Sequence, residues 1–136
     1  KERKYEVPFA ELVDRLAVDQ IKEVLLNEGK ASYAAEMEIL QHDIDLLISE
    51  RSIPLTAKLL RIIVALSQMN LHIWLLKDRM QVENEKYDEL LKLAHQLNGI
   101  RNRMKNLLLE EAGDREKSAQ RSNIGTDGLA GWDVSV

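Results

Sequence analysis

The chain has 136 residues, 45% hydrophobic and 31% charged, a length that suits one domain with a single core. Its 19 Lys and Arg against 23 Asp and Glu give a net charge of -4, which argues against nucleic-acid binding because phosphate neutralisation needs excess positive charge. The lack of cysteine excludes disulfides, thiolate metal sites and a cysteine nucleophile. We expect a cytoplasmic protein without a cofactor, and polar interruptions in the apolar stretch 59–76 predict no membrane span.

The first half of the chain predicts two helices, because apolar residues recur at every third and fourth position. Helix one is expected over residues 8–28, with Pro8 in its first turn and Gly29 as its C-terminal stop. Ser32 is the candidate N-cap of helix two, which ends near Arg51. The seam of helix two has the spacing of a coiled coil and suits a second helix of this chain or of another copy. Its residues are Tyr33, Met37, Leu40, Ile44 and Leu47.

The second half predicts a long helical hairpin. Ser52 and Pro54 restart the pattern, and the third helix continues for roughly seven turns to Met80. Asn84 is the candidate N-cap of the fourth helix, and Gly113 closes it. Because short connections make neighbouring helices antiparallel, the sequence predicts an all-α fold, an up-and-down bundle of about four helices with this hairpin at its centre.

The last part of the chain has a different composition. Residues 114–136 are rich in glycine and show no helical period, so we divide the chain into a helical bundle over 1–113 and a tail over 114–136. The composition is typical of a flexible segment. The large apolar surface of Trp132 instead favours docking in a groove of the same or another subunit. Both interpretations stay open.

Few motifs of known chemistry occur. The chain has neither a Walker-type phosphate loop nor a G-x-G-x-x-G dinucleotide motif, and no histidine follows a glutamate at the spacing of di-iron bundles. Glu38, His42 and Asp45 share one face of helix two and form a weak candidate for a divalent metal site. Three ligands on an exposed face make an incomplete coordination shell, so a solvated surface is the favoured interpretation.

Polar residues at the edges of the apolar faces are more informative. Buried polar groups must be paired, so we expect these residues to meet inside the bundle or at one end. They either form a structural network that fixes helix register or make a basic cradle for a carboxylate or phosphate. The candidate ligand-binding residues are Asp14, Arg15, Lys22, Asn70, Asn98, Arg101 and Lys105.

Three segments resemble a family of small helical proteins of unknown function. The first segment, 9–22, contains Asp14-Arg15-Leu16 followed by Ile21-Lys22. The second, 70–78, has an N-x-x-I-W pattern with a following aspartate, and the third, 93–105, has L-N-x-x-R. Members of this family are often associated with sugar-transfer or surface-polysaccharide proteins. The resemblance therefore implies a helical fold and a link to glycans, and it supplies no catalytic residue.

From these observations we expect a helical binding or oligomerisation protein without catalytic chemistry, working as a homodimer through an exposed apolar stripe or with another protein partner. The alternative is an enzyme or receptor that holds a phosphorylated or carboxylated sugar or nucleotide at the basic residues. A third possibility is nucleic-acid binding by a tail that folds on contact. The residues for it are Arg101, Arg103, Lys105, Arg115, Lys117 and Arg121.

Overall fold

The computed structural model describes residues 2–113, 132 and 134–136. These residues form four long helices and contain no strand, which confirms the predicted all-α bundle. A single 3-10 turn leads directly into the last helix. The elements are α1 Phe9–Leu25, α2 Lys30–Glu50, α3 Ala57–Val82, the turn Asn84–Lys86 and α4 Tyr87–Ala112.

The link between α1 and α2 differs from the prediction. α1 ends at Leu25 because Leu26 has an extended backbone, with φ -91° and ψ 137°. Gly29 therefore does not close α1. It precedes α2 with a φ of 82°, a left-handed conformation that glycine adopts without strain. Ser32, the predicted N-cap, lies inside the first turn of α2.

The hairpin begins later than its sequence pattern suggests. Ser52 and Pro54 belong to the loop, and the N-cap of α3 is Thr56, whose side-chain oxygen accepts a hydrogen bond from the Leu59 N–H at 3.1 Å. Asn84 starts the 3-10 turn rather than capping α4 itself. Gly113 does close α4, with a φ of 66°, as predicted.

α1 holds the bundle together. α3 and α4 form the most extensive helix pair, and α1 packs on both of them and on α2. The α2 backbone closely approaches α1 and none of the other described helices. A groove consequently separates α2 from α3, with α1 at its base.

The core has two parts. The larger part lies where the four helices meet, around the fully buried side chains of Leu12, Leu40, Leu59 and Leu108. The smaller part lies between α3 and α4. Its buried residues are Met69, Leu76, Leu90, Ala94, Leu97 and Ile100.

The predicted seam of α2 is used within the chain. Met37, Leu40 and Leu47 are buried, and Ile44 packs against the larger part of the core. The interpretation of this seam as a contact between copies is therefore wrong, because α1 and the core already cover it. A dimer of this chain needs another surface.

Candidate functional site

Asp14 is at the centre of the predicted group of polar residues. It lies on α1 and is only 3% exposed. Its Oδ1 accepts hydrogen bonds from Asn70 Nδ2 of α3 at 2.9 Å and from Arg101 Nε of α4 at 3.1 Å. Arg101 Nη2 pairs with the other carboxylate oxygen. One aspartate therefore joins three helices.

Arg101 is held from two sides. Besides its two-point contact with Asp14, its Nη1 donates to Asn98 Oδ1 at 3.0 Å, one turn earlier on α4. The side chain is 24% exposed. A guanidinium with two nitrogens on one carboxylate and a third on an amide has a fixed orientation, because its donors form a rigid planar fork.

Lys105 adds Glu11 to this group, a residue that was not predicted from the sequence. Its Nζ pairs with the Glu11 carboxylate of α1 and lies 3.8 Å from Asp14 Oδ2. The Lys105 side chain is 6% exposed. Glu11 lies three residues before Asp14 on the same face of α1, and that spacing was the available signal. We call the assembled group the polar cluster: Glu11, Asp14, Asn70, Asn98, Arg101 and Lys105.

The charges of the polar cluster balance. Two carboxylates, Glu11 and Asp14, face two cations, Arg101 and Lys105. An incoming carboxylate or phosphate would have to displace a carboxylate that already holds its cation. The geometry therefore favours a structural network that fixes α1 on the hairpin.

Arg15 and Lys22 do not join the polar cluster. Arg15 follows Asp14 directly and therefore points about 100° away around the helix. Its guanidinium carbon lies 5.5 Å from the centre of the Tyr5 ring. The Lys22 Nζ lies 5.7 Å from the centre of the Tyr33 ring. Both contacts have the geometry of cation–π interactions.

A second acidic pair lies between α1 and α2. Asp19 is 4% exposed and shares a hydrogen bond with the Glu36 carboxyl group, and no described residue hydrogen-bonds its Oδ2. Burial and then the Glu36 charge raise the pKa of Asp19 to about 6, although Lys22 and Arg15 oppose the shift. This pair could not be predicted from residue spacing, because it depends on how the two helices cross.

The three candidate metal ligands do not have the geometry of a metal-binding site. Glu38, His42 and Asp45 are exposed on α2. Among the described residues, no group of three or more carboxylate or imidazole side chains is placed to hold a metal ion. Neighbouring Asp43 is fully buried and accepts hydrogen bonds from the backbone N–H groups of Lys4 and Tyr5, so it anchors the N-terminal segment.

The groove between α2 and α3 has a volume of about 540 Å³. Its base is apolar, with Leu16 and Ala17 of α1 between Met37 of α2 and Ile63 of α3. Four longer polar side chains line the same groove: Gln20, Glu23, Glu38 and Gln41. The groove thus combines an apolar floor with acidic groups.

Beside this groove, α3 presents an apolar surface to solvent. We call it the α3 stripe: Leu60, Val64, Leu71, Leu75 and Val82 are 52%, 66%, 38%, 43% and 81% exposed. At 100° per residue they fall in a narrow sector opposite the buried face of the helix. This surface was not predicted from the sequence, because leucine and valine are also the typical residues of a core.

Among the described residues, α3 is also the one helix long and apolar enough, by length and composition, to cross a membrane. Core helices of soluble proteins pass the same test. Of its apolar stretch, 33% is buried in this structure. The absence of a membrane span therefore stays a prediction.

The end of the tail docks on the chain itself. Trp132, Val134 and Val136 pack against the core, and the Trp132 ring meets the His72 ring edge-on with centroids 4.8 Å apart. Arg103 donates hydrogen bonds to the Val134 and Val136 carbonyl oxygens. Docking on the same chain is thus the observed arrangement for these residues.

The three described residues of the predicted nucleic-acid group already have partners within the chain. Arg101 and Lys105 are paired in the polar cluster, and Arg103 holds the end of the tail. Arg115, Lys117 and Arg121 lie outside the described residues.

Comparisons with protein-family models, with curated proteins and with solved structures find no match to this chain. The resemblance to helical proteins linked to glycans therefore stays a prediction.

Proposed function

We propose that the protein is a helical oligomerisation module that pairs with a second copy through the α3 stripe. The observation that carries this proposal is the exposure of five large apolar side chains on the side of α3 opposite the core. A row of large apolar side chains exposed along one face of a helix usually marks an interaction site.

The spacing of the α3 stripe suits a long, straight contact. Leu60, Leu71 and Val82 are separated by 11 residues, as are Val64 and Leu75. An 11-residue repeat is close to the natural period of the α-helix, so the stripe stays on one side without much supercoiling. From Leu60 to Val82, at 1.5 Å per residue, this surface is about 33 Å long.

The dipole of α3 favours an antiparallel pair. The helix begins with Lys58 and Arg61, and its last turn holds Arg79, which pairs with Glu83, so the charges at its two ends do not select an orientation. A two-fold antiparallel arrangement opposes the dipoles of the two helices, whereas a parallel arrangement would align them.

A protein partner explains the stripe better than a membrane does. The opposite face of α3 holds core residues such as Leu59 and Leu66 and the buried Asn70, which hydrogen-bonds Asp14. Insertion of α3 across a bilayer would require this face to leave α1 and α4. Pairing with a second copy leaves all of these contacts in place.

The test is the mass of the full chain in solution, measured by size-exclusion chromatography with light scattering. We expect twice the 15.6 kDa chain mass at high micromolar concentration. The double variant Val64→Glu/Leu75→Glu should be monomeric, because it places two charges in the contact.

The chain offers a closely matched control. Val24 and Leu25 at the end of α1 are 65% and 43% exposed, against 66% and 43% for Val64 and Leu75. Val24→Glu/Leu25→Glu should keep the dimer. A monomeric wild-type chain at all concentrations, or loss of the dimer in both double variants, would overturn the proposal. Binding to phosphatidylcholine vesicles that depends on Val64 and Leu75 would instead identify a membrane contact.

A further inference from the structure

The C-terminal residues lie in a small apolar site on the α3–α4 hairpin, apart from the α3 stripe. Trp132 packs against the smaller part of the core, Val136 against the larger part, and Val134 against both. The three residues are spaced at i, i+2 and i+4, so an extended chain presents them on one side. The site thus receives apolar side chains at alternate positions.

The same site holds the backbone of the segment. Arg103 Nη1 donates to the Val134 carbonyl oxygen at 3.3 Å, and Arg103 Nη2 donates to the Val136 carbonyl oxygen at 2.6 Å. Arg61 Nη2 donates to Ser135 Oγ at 2.6 Å. Two of these three hydrogen bonds go to main-chain oxygens. Arg103 therefore contacts the main chain of the segment rather than its side chains.

We propose that this surface, built by His72 of α3, Arg103 of α4 and the adjoining core, is a peptide-binding site for extended protein segments with apolar side chains at alternate positions. The chain's own C-terminal residues are its resident ligand. Backbone hydrogen bonds that supply affinity, combined with contacts to alternate side chains that supply selectivity, are the general features of extended-peptide recognition.

The resident segment is exchangeable. Trp132, Val134 and Val136 are each only partly buried, and Arg61 and Arg103 are exposed. The 19 residues 113–131 connect the segment to α4. A ligand tethered in this way has an effective concentration of about 1 mM. For a free peptide whose Kd for the empty site is ~100 μM, this competition raises the apparent Kd roughly tenfold. A partner segment binds when its affinity or concentration is high enough to displace the tail, or when the tail is removed from the site.

The test uses a fluorescein-labelled peptide that copies residues 129–136, with binding followed by fluorescence anisotropy. The full chain carrying Trp132→Ala, Val134→Ala and Val136→Ala should bind the peptide about tenfold more tightly than the wild-type chain, because its site is vacant. Adding Arg103→Ala to this variant should weaken binding about tenfold. A scrambled peptide of the same composition should not bind. Equal affinity for the wild-type and vacated chains, or no effect of Arg103→Ala, would overturn the proposal.

A second measurement does not depend on the folding of the vacated variant. In the Trp74→Phe chain, Trp132 is the only tryptophan, and its emission reports whether the segment is docked. Excess peptide with Phe in place of its tryptophan should shift this emission to longer wavelength and raise its quenching by acrylamide. Arg103→Ala should produce the same shift without peptide. An emission spectrum that neither change affects would show that the segment is not exchangeable.

Discussion

At the residue scale, Asp14 determines what the polar cluster does. A buried carboxylate is costly unless its charge is paired and its oxygens accept hydrogen bonds. Asp14 meets both conditions through Arg101 and Asn70, which come from α4 and α3. The pairing therefore makes the stability of this buried carboxylate depend on the positions of three helices. Removal of Arg101 takes away its main counterion, and removal of Asn70 takes away one of its hydrogen bonds.

We expect Arg101→Ala to reduce the free energy of unfolding by about 3–5 kcal/mol, because it leaves the Asp14 carboxylate buried without its main partner. The double variant Asp14→Ala/Arg101→Ala should lose less than the sum of the two single variants. Urea unfolding followed by circular dichroism measures these changes. Arg79→Ala is the control, since its ion pair with Glu83 is on the surface, and it should have little effect.

A basic ligand site would give the opposite result. In that case Arg101→Ala would leave the unfolding curve nearly unchanged and would remove a thermal shift produced by sugar phosphates or nucleotides in the wild-type chain. This outcome would return the polar cluster to the anion-binding alternative.

At the element scale, hydrophobic period predicted the helices well and their ends less well. Periodicity averages over many positions, whereas an end depends on one or two backbone conformations. Ser32 has the right residue type for a cap, but the left-handed Gly29 starts α2 before it. Thr56 makes the capping hydrogen bond of α3 and was not singled out, because Ser52 and Pro54 carry a similar signal a few residues earlier.

These two residues make a direct test of the helix starts. Thr56→Ala should destabilise the chain by about 1 kcal/mol, since the Leu59 N–H loses its acceptor. Ser32→Ala should be neutral or slightly stabilising, because alanine has the higher helix propensity inside a helix. Thermal unfolding of the two variants beside the wild-type chain compares them. Equal losses would restore Ser32 as a cap.

Residues of the polar cluster could be predicted only where they lie beside core residues on the same face of a helix. Asn70 and Asn98 were found because they lie beside apolar residues at helical spacing. Arg15 and Lys22 were wrongly grouped with them, since helical spacing alone does not say which neighbour a face meets. The contact of Asp19 with Glu36 could not be predicted, because it depends on how α1 and α2 cross. The α3 stripe could not be predicted either, because the sequence does not show which face of α3 the other described helices leave uncovered.

At the scale of the whole molecule, α2 is the least integrated helix. Its backbone closely approaches α1 alone, whereas α1 also contacts both helices of the hairpin. The α1–α2 contact contains the buried Asp19 and the partly buried Glu36. Elements with few contacts open at lower free energy than the rest of a fold. We therefore expect α2 to open before the hairpin unfolds.

The Asp19 pair makes this opening depend on pH. The folded pKa of about 6 lies above the ordinary value of 3.8, so the folded chain binds a proton more tightly than the unfolded chain. Stability contributed by the protonated carboxyl group is present at low pH and is lost as the pH rises from about 4 through about 6. Glu36 faces Asp19 from α2, and the Lys22 and Arg15 charges on α1 only partly offset the loss.

Asp19→Asn should abolish this dependence, since the amide cannot ionise. Relative to the variant, the wild-type chain should lose about 2 kcal/mol of unfolding free energy between pH 4.5 and pH 8, as measured by urea unfolding at each pH. Titrating groups that do not interact with Asp19 affect both chains equally and cancel in the difference. At pH 8, hydrogen exchange should be slower in α2 of the variant than in α2 of the wild-type chain, while the α3–α4 hairpin stays equally protected. A constant difference across the pH range would show that Asp19 is ionised at pH 4.5 in the folded chain, and the loose attachment of α2 would then need another cause.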